Sequence, residues 1–100
     1  MKLRIQAINF EATSALESYV TKKLAKLEKL TDDIFNVDVY LKLLKSSTGV
    51  NKEVEIKVSI PNVEFFSSKV CETFEEATDL CIDAIEKQIK KHKEKFNYKK

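Results

Sequence analysis

VDVYLKLLKSSTGVNKEVEIKVSI, residues 37–60, decides the fold. Val37, Val39, Leu41 and Leu43 alternate with Asp38, Tyr40 and Lys42, and Val54, Ile56, Val58 and Ile60 alternate with Glu53, Glu55, Lys57 and Ser59. A period of two places every apolar residue of a run on one side of an extended ribbon, so each run predicts a strand buried on one face only. Between them SSTGVN carries the only glycine of the chain, Gly49, and reads as the loop of a hairpin. Two one-faced strands need an apolar layer over their inner side, and the flanking sequence supplies it.

Upstream, residues 2–9 alternate with Leu3, Ile5 and Ala7 on one face, which predicts a strand. Leu16, Val20, Leu24 and Leu27 then recur at helical spacing, giving a helix over about 14–30 that Thr31-Asp32-Asp33 stops. Thr13 or Ser14 caps it, and Ser14 with Glu17 has the spacing of a capping box. Downstream, Pro61-Asn62 makes a turn and residues 63–70 form a fourth, less regular strand. Thr73 and Glu76 have the same capping-box spacing. Phe74, Ala77, Cys81, Ile85, Ile89, His92 and Phe96 form the apolar stripe of a long helix, about 74–96.

The order β-α-β-β-β-α with one-faced strands predicts an α+β fold. It has a four-stranded, mostly antiparallel sheet with both helices on one face, the layering of a double-stranded-RNA-binding domain. The first strand reaches its neighbour through a helix, so that pair is expected to be parallel with a right-handed crossover. At 100 residues with 43% apolar content, the chain is expected to form one domain, 1–100, with an ordered core over about 2–96 and a short basic tail, 97–100.

No apolar run is long enough to cross a bilayer, and MKLRIQ lacks the apolar core of a signal peptide. A cytoplasmic protein with Cys71 and Cys81 as reduced, buried thiols is the expectation. With one histidine, no CxxC, no glycine-rich phosphate loop and no nucleophile elbow, the sequence predicts no catalytic residue, no metal site and no cofactor. It predicts no small-molecule substrate and no membrane partner.

The charge is unevenly placed. Residues 87–100 hold seven lysines against one glutamate, a net of +6, whereas residues 1–86 hold eleven Lys or Arg against fifteen Asp or Glu, a net of −4. On a helical wheel Lys87, Lys90 and Lys91 lie nearly opposite the apolar stripe of the second helix, with Lys93 and Lys95 flanking it. In the first helix Lys22, Lys26 and Lys29 share the stripe opposite Leu16, Val20, Leu24 and Leu27, with Lys23 on its shoulder. Two helices side by side are expected to merge these stripes into one cationic ridge. Glu72, Glu75, Glu76, Asp79, Asp83 and Glu86 suit the N-terminal half of the second helix and confine the positive field to one end. A lysine ridge suits phosphates and reads no sequence. With one arginine, Arg4, and only Tyr40 as a stacking candidate on the open sheet face, folded RNA fits better than single strands. The standard double-stranded-RNA mode is disfavoured, because the final helix starts with ETFEEA where that mode needs lysines.

INFEATSALESYVTKKLAKLEKL, residues 8–30, and FEEATDLCIDAIEKQIKKHKEK, residues 74–95, resemble the first-strand end with helix one, and the final helix, of the short ribosome hibernation-promoting factors. This family is also called the ribosome-associated inhibitor or sigma-54 modulation family, and the likeness covers nearly the whole chain. The resemblance implies a non-enzymatic factor that binds the small (30S) ribosomal subunit and its 16S rRNA in the mRNA channel, at the A and P tRNA sites. There it would block translation by steric exclusion in stationary phase or under stress. It implies rRNA contacts from Lys23, Lys26, Lys87, Lys91, His92, Lys93 and Lys95, while Lys22, Lys29 and Lys90 extend the same faces by the wheel alone. The family's Asp-x-Tyr at the start of the last helix is Glu72-Thr73-Phe74 here, so that phenol is absent. A free monomer is expected. Read from the residues alone, a general binder of structured RNA and a protein-interaction module stay open beside the ribosomal reading.

Overall fold

The computed structural model of the chain describes residues 1–97, with side chains through residue 95. The elements are β1 (Lys2–Ile8), α1 (Ser14–Glu28), β2 (Asn36–Leu43), β3 (Lys52–Ile60), β4 (Val63–Cys71) and α2 (Phe74–Asn97). The strands lie in the order β1-β2-β3-β4, with β1 parallel to β2 and the other two pairs antiparallel. This is the expected α+β layering with a mixed sheet. The Phe96 side chain, expected on the α2 stripe, and residues 98–100 of the basic tail lie outside the described residues.

Register follows from the alternation seen in the sequence. Val37, Val39 and Leu41 stand opposite Val58, Ile56 and Val54, and Leu3, Ile5 and Ala7 stand opposite Val37, Val39 and Leu41. A slip of one residue would turn every one of these side chains to the other face. The core joins this sheet face to Leu16, Val20, Leu24 and Leu27 of α1 and to Phe74, Ala77, Cys81, Ile82, Ile85 and Ile89 of α2. The opposite sheet face carries Arg4, Asp38, Tyr40, Glu55 and Lys57, with the Lys42 ammonium held between Glu55 at 3.1 Å and Glu53 at 3.8 Å. The hydrogen bond to Glu55, and with it the two carboxylate charges, raises the Lys42 pKa against a smaller opposing effect of burial.

Of the two cap candidates for α1, one is used. Thr13, not Ser14, is the N-cap of α1: its hydroxyl accepts from the Leu16 amide at 3.1 Å, and Ser14 is already helical. The Thr13 backbone is extended, as a cap requires, so the Ser14–Glu17 spacing is not used as a capping box. At α2, Thr73 accepts from the Glu76 amide at 3.1 Å. Asn62, in the β3–β4 turn, adopts φ 69°, and Gly49 at the hairpin tip φ 83°, both left-handed.

The less regular β4 is an edge strand. Its backbone at Phe66 is met by the Gln88 amide of α2, which accepts from the Phe66 N–H at 3.2 Å and donates to the Phe66 carbonyl at 2.8 Å. A side-chain amide thus takes the place of a neighbouring strand and ties α2 to the sheet margin. This clamp and the α1 contacts described below fix the rotation of α2 about its axis, and therefore where its lysines stand.

Candidate nucleic-acid interface

The two lysine stripes do not merge into one ridge; carboxylates stand between them. Tyr19, Lys23 and Lys26 recur at i, i+4 and i+7 along α1, and Asp79, Asp83 and Glu86 recur at the same spacing along α2. The two rows meet across the groove. The Tyr19 hydroxyl donates to Asp79 and lies 3.0 Å from both carboxylate oxygens. Lys23 reaches Asp79 at 3.8 Å and lies 5.4 Å from the Tyr19 ring centre. Lys26 lies 3.8 Å from Asp83 and 3.3 Å from Glu86, and Glu86 also holds Lys90 at 3.0 Å.

These contacts leave a trace in the titration of the groove. Hydrogen bonds from Lys90 and then Lys26 hold the Glu86 carboxyl below its ordinary pKa, against an opposing effect of burial. The Tyr19 phenol is pushed up, first by desolvation and then by its bond to Asp79. Lys93 reaches across from α2 to donate to the Leu30 carbonyl at the C-terminal end of α1, where a cation meets the negative end of the helix dipole.

The remaining predicted lysines stand clear of the groove. Among the described residues, Lys22, Lys29, Lys87, Lys91 and Lys95 are exposed and show no ion pair. Lys22 and Lys29 occupy the outer crest of α1. Lys87, Lys91 and Lys95, at four-residue spacing, run along the flank of α2 that carries Gln88 towards the β4 edge. His92 is half-buried, its ring edge-on to Phe65 with centroids 5.7 Å apart, so it is turned towards the sheet. The site is therefore two lysine tracks separated by a charge-compensated strip. The ten predicted residues all lie on α1, its C-cap or α2, but Lys23, Lys26 and Lys90 are ion-paired and Lys93 bonds a carbonyl.

Cys71 and Cys81 are free and buried. Cys81 donates to the Val54 carbonyl at 3.2 Å, and burial pushes its thiol up to about 11. Phe74, at the position of the resembled family's tyrosine, is buried and stacked on Phe10 with centroids 4.7 Å apart, so the ring packs the first turn of α2. Among the described residues no group of three His, Cys, Asp or Glu side chains is placed to hold a metal ion, and no helix is long and apolar enough to cross a membrane.

A β-α-β-β-β-α fold with lysine tracks on its helical face defines a domain suited to a polyanionic surface. Comparison with known proteins makes the assignment specific. The profile described as sigma 54 modulation protein / S30EA ribosomal protein matches residues 3–97, and the chain belongs to that family, whose members are non-enzymatic ribosome-binding factors. It is 36% identical over 95 residues to the ribosome hibernation promoting factor of Pseudomonas putida, covering 95% of this chain and 89% of that one. It is 33% identical over 99 residues to the ribosome hibernation promotion factor of Bacillus subtilis, covering 99% of this chain but 52% of the relative. The chain thus spans most of the shorter relative and about half of the longer one.

Among solved structures, the Thermus thermophilus Protein Y N-terminal domain superposes with a TM-score of 0.78 at 29% identity, covering 92% of this chain and 99% of that one. A ribosomal subunit interface protein from Coxiella burnetii shares the fold with a TM-score of 0.82 at 20% identity, covering 93% and 98%. The chain is accordingly a homologue of the ribosome hibernation promoting factors.

Sequence reasoning missed the carboxylate ladder as a partner of the lysines. Asp79, Asp83 and Glu86 were assigned to the helix dipole, yet their spacing copies that of Tyr19, Lys23 and Lys26, which was the available signal. Gln88 gave no signal in sequence, because its role depends on which strand lies at the edge.

Proposed function

We propose that this protein silences idle ribosomes by binding 16S rRNA of the small subunit in the mRNA channel, across the A and P tRNA sites. It acts there in the cytoplasm as a single ribosome-binding domain, 1–100, delivered as a monomer under stress or in stationary phase. The mechanism is steric: a rigid domain occupies the path of tRNA and mRNA, and no chemistry is needed. The observation that supports this reading is the pair of unpaired lysine tracks on the helical face of a chain from this family. Lys22 and Lys29 on one side and Lys87, Lys91 and Lys95 on the other supply most of the affinity, each exchanging counterions for a phosphate contact. Lys23, Lys26 and Lys90, already paired to Asp79, Asp83 and Glu86, contribute little beside the unpaired tracks. Lys93 and His92 lie at the end of the groove and complete the contact surface.

Competition tests the placement. Purified small subunits are incubated with the protein and pelleted, with and without a short mRNA and tRNA bound in the P site. The proposal requires the programmed subunits to exclude the protein. Undiminished co-sedimentation with programmed subunits would place the binding surface elsewhere, and equal binding to unrelated folded RNA at physiological salt would replace the ribosome by structured RNA in general.

A further inference from the structure

We infer that Asp79, Asp83 and Glu86 are specificity determinants: they close the groove between the helices to a lone phosphate strand and so restrict binding to surfaces that present two separate phosphate backbones. This inference rests on the proposed binding of rRNA by the same face. The groove is where a single extended strand would find the most lysines. Lys23, Lys26, Lys90 and Lys93 all border it, and with α1 and α2 as walls it would otherwise be a cationic trough.

The carboxylates cancel that trough from within. Each one lies 3.0–3.8 Å from a groove lysine, and Asp79 is held in place by the Tyr19 hydroxyl at 3.0 Å. Glu86 is the best shielded, with 18% of its side chain exposed, and two ammonium groups hold it in the ionised form. A phosphate entering here meets fixed negative charges at the distance of its own counter-ions, where like-charge repulsion is strongest.

The free lysines lie outside this strip, on the α1 crest and on the far flank of α2. A single strand can follow one track or the other. Folded RNA can lay one backbone on each, so both tracks are engaged only by a structured surface. The arrangement repels the wrong partner and does not need to strengthen the right one, which is how charge commonly confers specificity.

The test is Asp79→Asn, Asp83→Asn and Glu86→Gln in one chain, which leaves every lysine in place and keeps an acceptor for the Tyr19 hydroxyl. Affinity is measured at one fixed salt concentration for two probes, purified small ribosomal subunits and a fluorescein-labelled oligouridylate. The triple variant should bind the oligouridylate at least about tenfold more tightly, because three groove lysines become available to phosphate. The ratio of subunit to oligouridylate affinity should fall accordingly. Equal gains for both probes, or a ratio unchanged within twofold, would overturn the inference. Asp83→Asn alone removes one exposed pairing, that with Lys26, and should shift the ratio in the same direction by about threefold. It decides the question if the triple variant does not fold. If the unaltered protein does not bind small subunits at all, the proposed function fails; if it binds but the variants keep its selectivity, only this inference fails.

Discussion

Removing the α2 track should flatten the salt dependence of ribosome binding, while removing compensated pairs should not. The perturbation is Lys87→Gln, Lys91→Gln and Lys95→Gln together. These three side chains are exposed and show no ion pair among the described residues, so their loss leaves no carboxylate uncompensated. Each lysine that neutralises one phosphate contributes about 0.9 to the slope of log affinity against log salt, so the slope should fall by roughly 2.5. At 0.15 M salt that corresponds to a loss of affinity of about a hundredfold. The control is charge-balanced: Lys23→Gln with Asp79→Asn, and Lys26→Gln with Asp83→Asn, which removes two lysines and two of the carboxylates that face them at 3.8 Å. Net charge is unchanged, and the slope should stay within about half a unit of the parent value. The assay is fluorescence anisotropy of labelled protein titrated with small subunits over a series of potassium chloride concentrations at fixed magnesium. The reasoning is refuted if the track variant lowers the slope by less than about one unit, or if the balanced variant lowers it as much.

Three further outcomes concern the scaffold. Thr13→Ala removes the hydroxyl that accepts from the Leu16 amide, and urea unfolding should register a loss of about 1 kcal/mol. Ile85→Ala empties a fully buried position at the centre of the α2 stripe and should cost about 2–5 kcal/mol in the same assay, with ribosome affinity unchanged below the transition because no track lysine moves. The Cys81 thiol ionises at about 11 in the folded chain against 9.0 when unfolded, so its contribution is intact below pH 9 and is lost as pH rises towards 11. Between pH 8 and pH 10.5 that loss amounts to about 2 kcal/mol, and it should vanish in Cys81→Ser, which chemical denaturation at those two pH values will show.

The fold was legible because its signals are local. Alternation in β2 and β3 fixed both the strand type and the buried face, and the α1 stripe of Leu16, Val20, Leu24 and Leu27 is the set that is buried. For the α1 cap the sequence leaves Thr13 and Ser14 open, since both are good caps and only the backbone angle at Thr13 separates them. In the candidate site, the choice of lysines was legible from the wheel but their state of pairing was not. A wheel shows which way Lys23 and Lys26 point from their own helix. Whether Asp79, Asp83 and Glu86 face them depends on the rotation of α2, which the Gln88 bonds to β4 and the packing of Ile82, Ile85 and Ile89 set together. Non-local geometry of that kind divides the expected ridge in two.

Hydroxyl-radical footprinting of 16S rRNA in small subunits, with and without the protein, tests the central claim most directly. Protection should appear in two backbone segments lining the mRNA channel at the A and P sites, and should be lost in the Lys87, Lys91, Lys95 variant. Protection confined to another region of the subunit, or an unchanged cleavage pattern at saturating protein, would contradict the account.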